Sequence, residues 1–232
     1  MSTTDQTTGD SSAGPLLFDQ INGAAENAGM RAKGWPPVYT ASARSRIVLV
    51  GQAPGRIAQQ TLKPWNDASG RLLRQWLAVT DQQFYDPDLF ALMPMDFYYP
   101  GKGPHGDLPP RKDFAPTWHP RLLALMPRVR LTILVGAYAQ RYYLGKRAGR
   151  TLTETVANAA GAPDGFFPLV HPSPLNIGWR KRNPWFEEET VPLLREAVAR
   201  ARFEALGDAG PSDSPSPTTN GGSGAQGCGG TG

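Results

Sequence analysis

The sequence predicts an α/β fold, a three-layer α/β/α sandwich with a central, mostly parallel four-stranded sheet, and two observations carry that prediction. Four short apolar runs are continuous rather than alternating, which suits strands buried on both faces. Helical signals fall between the runs, so the strands are joined by the crossovers that parallel pairing requires. In chain order, residues 46–50 (RIVLV) form the first strand, and Ser69 stands where it would cap a helix through RLLRQWLAV. Residues 89–93 (LFALM) form the second strand, and His119-Pro120 opens a helix through LLALM, proline being suited to a first turn. Residues 131–135 (LTILV) are the third strand, and residues 140–144 and 151–159 carry helical spacing. Residues 166–170 (FFPLV) are the fourth. Asn183-Pro184 followed by Glu187, Glu188 and Glu189 supplies a cap, a first-turn proline and acids for a final helix running to about Leu206.

At ~150 residues per domain, 232 residues give one domain with tails. The 26 glycines and 23 prolines exceed what evenly packed helices and strands hold. Residues 207–232 carry almost nothing able to bury area and residues 1–14 are similarly polar, so both are expected to be disordered around a domain at 15–206. No apolar run approaches the ~18 residues of a membrane span, and the first residues lack the basic and apolar regions of a signal peptide. A soluble, non-secreted protein is therefore expected. Cys228 is the only cysteine, which excludes disulfides within the chain and any cysteine-held zinc or iron–sulfur centre. Setting aside Asp5, Asp10, Asp208 and Asp213 in the ends leaves sixteen acids against twenty-four bases, a net charge of +8 on the middle. Such a domain suits a polyanionic partner, nucleic acid above all, although solubility alone accounts for part of the excess.

In a parallel sheet, ligands sit beyond the carboxyl ends of the strands. The first strand is followed there by Gly51-Gln52-Ala53-Pro54-Gly55 and the fourth by His171-Pro172-Ser173-Pro174-Leu175-Asn176. The first turn lacks both GxGxxG and the lysine of a P-loop, so dinucleotide and nucleotide-phosphate readings fail. What it offers is backbone amides held close to a ligand. In the second loop two prolines stiffen a segment bearing a histidine, a serine and an apolar leucine, which suits a wedge into stacked bases.

Together, GQAPG and HPSPLN resemble motifs A and B of the uracil-DNA glycosylase superfamily. Lys63-Pro64-Trp65-Asn66-Asp67-Ala68-Ser69-Gly70 resembles the segment whose aromatic stacks on the flipped base, and Tyr98-Tyr99-Pro100-Gly101 falls where the iron–sulfur branch carries a cysteine-containing run. The resemblance covers most of residues 44–200. It implies that His171 hydrogen-bonds the departing base, Trp65 stacks on it, and Ala53 and Gly55 line its pocket. It further implies that Leu175 is the wedge, that Ser69 and Ser173 meet phosphates, and that Arg180, Lys181 and Arg182 contact the DNA backbone. DNA is the implied partner, without membrane, metal or cofactor, for a monomer in the cytoplasm at the bacterial nucleoid.

The sequence also departs from the family pattern. Gln52 and Ala53 occupy the positions where other branches carry a carboxylate, so neither takes a proton. Gln52 can orient a water through its amide oxygen, and Asp67 and Asp96 are the candidates for a general base elsewhere. Met93-Pro94-Met95 stands where the family has the asparagine that reads the base edge. Gly55 replaces the tyrosine that excludes thymine in the main branch, leaving space for a C5 substituent or a larger base. Residues 94–120, with Phe97, Tyr98, Tyr99 and Trp118, are long enough to cover the pocket or stack on unpaired bases. His105 and His119 read as exposed loop and helix-start residues. The expected function is a monofunctional DNA glycosylase acting on uracil or a related deaminated base. The alternatives are a nucleic-acid-binding module of the same fold without chemistry, and a hydrolase of free nucleosides or nucleotides.

Overall fold

A computed structural model describes residues 13–104, 106–163 and 165–203. The expected tails, the end of the last helix and His105 lie outside the described residues, except that a helix already begins at Ala13. Helices α1 (Ala13–Gly23) and α2 (Ala28–Arg31) precede β1 (Ile47–Val50). Helices α3 (Arg56–Thr61), α4 (Ala68–Leu77) and α5 (Asp81–Phe84) lead to β2 (Phe90–Leu92). A hairpin of β3 (Lys102–Gly103) and β4 (Gly106–Asp107) is followed by α6 (Phe114–Ala124) and β5 (Leu131–Val135). Helices α7 (Ala137–Leu144) and α8 (Leu152–Ala157) lead to β6 (Phe166–Leu169), then α9 (Ile177–Arg182) and α10 (Val191–Phe203).

The sheet order is β2-β1-β5-β6, with every neighbouring pair parallel. Alternate side chains of each strand feed opposite layers. Ile47 and Leu49 pack with Leu73 and Trp76 of α4 and Leu194 and Val198 of α10. Val48 and Val50 pack with Ile21 of α1, Phe114 and Leu122 of α6 and Leu144 of α7. All four residues of β1 are fully buried, which is why its sequence is an unbroken apolar run.

Several local expectations are corrected. Ser69 does not cap α4: the Asp67 side chain accepts from Gly70 N at 2.8 Å, and Ser69 is buried inside the first turn. His119-Pro120 does not open α6, whose first turn instead holds Pro116. Asn183 does not cap the last helix. Its side-chain amide donates to Trp179 O at the end of α9, and a π turn over Phe186–Thr190 leads into α10. Pro192, with no N–H to donate, sits at the second residue of α10, where an ordinary helical ladder could not run through. Of the aromatics in the 94–120 segment, Phe97, Tyr98 and Trp118 are core residues rather than a stacking platform.

His119, expected at an exposed helix start, is fully buried. Its Nε2 lies 3.0 Å from Pro94 O and its Nδ1 2.8 Å from the Tyr143 hydroxyl. A carbonyl only accepts, so Nε2 carries the proton and Nδ1 receives the tyrosine O–H. Burial lowers the pKa of His119 to about 4. Because the folded form holds this ring neutral, stability is complete above pH 6.5 and falls as the pH drops towards 4, by about 1.4 kcal/mol per unit. Urea midpoints at pH 7 and pH 4.5 should diverge more for the native chain than for His119→Gln; equal divergence would assign the acid sensitivity to other groups.

Candidate functional site

The site forms over the carboxyl end of β1. Gly51 O accepts from Met95 N at 2.9 Å and Gln52 O from Asp96 N at 3.3 Å, so the GQAPG turn is laced to the segment leaving β2. Gly55 is the N-cap of α3 at φ −70° and ψ 169°, an extended backbone open to any residue. A Cβ there would meet only Asp107 Oδ2, at 3.9 Å.

Trp65 is held in place from three sides. Its backbone is left-handed at φ 56°, a conformation that costs a non-glycine residue about 1–2 kcal/mol and persists only where the surroundings over-determine it. Its carbonyl accepts from Arg74 and from the Tyr85 hydroxyl, each at 3.3 Å. A Cβ on Gly70 would lie 1.8 Å from that carbonyl oxygen, and a Cβ on Gly51 2.8 Å from the indole Cζ2. Glycine at both positions lets the tryptophan settle onto the strand end.

His171 follows β6 and lies against Trp65, ring centroids 5.5 Å apart and planes inclined by 32°. Its carbonyl accepts from Asn176 Nδ2 at 2.8 Å, and the Ser173 hydroxyl accepts from Leu175 N at 3.2 Å, so the loop is folded onto itself. Burial lowers the His171 pKa, and the negative field of Asp67 opposes that shift in part. The ring is therefore neutral at neutral pH, with one N–H available to donate. Leu175 projects from this loop with 89% of its surface exposed, so it is not a core residue.

The β3–β4 hairpin forms the opposite wall. Asp107 Oδ1 accepts from the Tyr99 hydroxyl at 3.4 Å and lies 3.6 Å from Lys102 Nζ. Gln52 Nε2 donates to Leu108 O at 3.4 Å, which leaves its amide oxygen turned to other uses.

These elements enclose a cavity of about 840 Å³. Gln52, Ala53, Gly55, Trp65, Asp67, His171, Ser173 and Leu175, expected from sequence, all line it. Pro94 lines it too, in the stretch that lacks the family asparagine. Others are not brought there. Ser69 is buried in the first turn of α4 and does not line the cavity. Asp96 does not line the cavity. It is 1% exposed, its oxygens take Nε and Nη2 of Arg111 at 2.7 and 2.8 Å, and it also accepts from the amides of Tyr98 and Arg111. Arg180 is turned inward onto Glu187 at 2.8 Å and the Trp76 ring at 5.8 Å, whereas Lys181 and Arg182 are exposed outside the cavity lining. Tyr99, named among the aromatics of the 94–120 segment, lines the cavity as well. Lys102 and Asp107 were missed: two-residue strands among glycines and charges have no periodicity to read, and only the length of the 94–120 segment hinted at a cover. Among the described residues, no group of three His, Cys, Asp or Glu side chains could hold a metal ion.

Compared with known families, residues 37–195 match the model of the uracil DNA glycosylase superfamily, a span that takes in all four sheet strands and every wall of the cavity.

Proposed function

The chain belongs to the uracil DNA glycosylase superfamily, and from that premise we propose that it flips uracil or a related deaminated base out of DNA and hydrolyses the N-glycosidic bond. The observation that carries the reading is the meeting of Trp65, His171 and the GQAPG turn in one cavity with the exposed Leu175 beside them. In this reading the base stacks on Trp65, and His171 donates to a ring carbonyl whose negative charge grows as the bond to the sugar breaks. Water adds to the sugar carbon under the Gln52 amide oxygen. Asp67 is the carboxylate for its proton, since one of its oxygens caps α4 and the other takes no partner among the described residues. The electron pair of the broken bond leaves with the base, which ends protonated. Ser173, Lys181 and Arg182 are the phosphate contacts.

Oligonucleotides bearing uracil, hypoxanthine, xanthine or 5-hydroxymethyluracil, single- and double-stranded, should release base and then cleave under alkali. Salt-sensitive binding without release from any of them would leave a binding module instead. Release from mononucleotides as fast as from DNA would identify a nucleoside hydrolase.

Two variants report on the walls. Leu175→Ala should slow release from duplex about tenfold or more and change single-strand release little, because only a duplex has a gap for the wedge to fill. Equal losses on both would deny the wedge. Gly55→Ala should leave folding and activity intact, since the backbone there is extended and the space open. Gly55→Tyr fills that space and should lower release of 5-hydroxymethyluracil relative to uracil about tenfold or more. An unchanged ratio would show that the base does not reach this wall.

A further inference from the structure

The cavity wall that faces Gly55 is ionic rather than apolar. Asp107 Oδ1 is engaged by the Tyr99 hydroxyl and by Lys102, but Oδ2 takes no hydrogen bond among the described residues. It stands 3.9 Å from the point to which a side chain at residue 55 would project. The turn therefore leaves a gap, and a carboxylate oxygen bounds it.

The sheet order says which part of a base meets that oxygen. In β2-β1-β5-β6, His171 leaves the β6 edge, whereas the hairpin bearing Asp107 follows β2 at the other edge. Neighbouring strands are about 4.8 Å apart, so the two residues approach the cavity from opposite sides. A pyrimidine whose C2 carbonyl is held by His171 directs C5, the atom para to C2, at the Asp107 wall. Whatever substituent C5 carries is then read by a carboxylate.

We propose that Asp107, supported by Lys102 and Tyr99, is a specificity-determining residue that selects a 5-substituent able to donate a hydrogen bond, so that 5-hydroxymethyluracil is accepted and thymine refused. The inference rests on the glycosylase reading above. A hydroxymethyl group donates its O–H to Oδ2 and returns what the carboxylate loses in hydration. A methyl group excludes water from the carboxylate and offers nothing, which is how a site built for a hydroxyl rejects its apolar analogue. Bulk is thus admitted where Gly55 leaves room, and chemistry does the sorting. Uracil, with only hydrogen at C5, leaves space for a water on Oδ2 and is largely indifferent to the residue at 107.

Single-turnover release from otherwise identical duplexes containing uracil, 5-hydroxymethyluracil or thymine tests this. The full chain should release 5-hydroxymethyluracil about 100-fold or more faster than thymine. Asp107→Val should bring that ratio to within about threefold of unity. Asp107→Asn, which keeps an oxygen and loses the charge, should fall between, and it decides the matter if the valine variant does not fold. A native chain that releases uracil but prefers thymine, or an Asp107→Val or Asp107→Asn variant that keeps the native ratio, overturns the inference and leaves the glycosylase reading standing. No release of any base by the native chain removes both.

Discussion

Replacing His171 with alanine should slow base release about 10²- to 10³-fold, or about 2.7–4 kcal/mol of barrier, while DNA affinity stays close to native. A donor aimed at an oxygen that becomes charged only as the glycosidic bond breaks stabilises the transition state far more than the bound substrate. Burial of the imidazole beside the Trp65 ring lowers its pKa and keeps it neutral, so it can donate without placing a full positive charge in the cavity. It follows that the single-turnover rate should fall off on acidification at a lower pH than an ordinary histidine, half protonated at about pH 6.5, would set. Single-turnover rates together with fluorescence-anisotropy affinities separate the effects. Equal losses in rate and affinity would place His171 in ground-state binding instead.

Arg111→Ala should destabilise the fold by about 3–5 kcal/mol, because it leaves the Asp96 carboxylate without its cation in a place that water does not reach. The arginine reaches further than this pair. Its Nη1 donates to Glu26 O at 3.1 Å and Asn27 Oδ1 at 2.7 Å, and its guanidinium lies over Phe114 at 4.6 Å. The N-terminal segment, the β2 exit and the start of α6 therefore meet on one side chain. The double replacement Asp96→Asn with Arg111→Met removes both charges and should recover about half of the loss in urea denaturation. A single Arg111→Ala variant as stable as the native chain would show that Asp96 finds other solvation.

The four strands were legible to within two residues because strands buried on both faces must be unbroken apolar runs, and β1 and β5 are. Their order in the sheet was not, since it is set by which helices cover which face. The cavity was legible where rigid turns follow strands, at residues 51–55 and 171–176. It failed where a polar residue's use depends on tertiary partners. Asp96 and Asp67 look alike in sequence, yet one is clamped by an arginine fifteen residues on and the other caps a helix at the cavity wall. His119 looked like a surface residue because its partners, Pro94 O and Tyr143, come from segments twenty-five and twenty-four residues away. Asp107 had no signal of its own; its place comes from a hairpin too short to show a pattern.

The two glycines against Trp65 constrain how this segment can vary over time. Gly51 answers to the far edge of the indole, whereas Gly70 answers to the carbonyl that every residue at position 65 would carry. A chain that exchanged the tryptophan for a smaller aromatic would release position 51 to accept alanine and would still be bound to glycine at 70. Substitutions here are thus ordered: the aromatic must shrink before the strand-end glycine can change, and the reverse order passes through a clash. Among descendants of such a chain, positions 51 and 65 should covary, and position 70 should stay invariant while the backbone keeps its course.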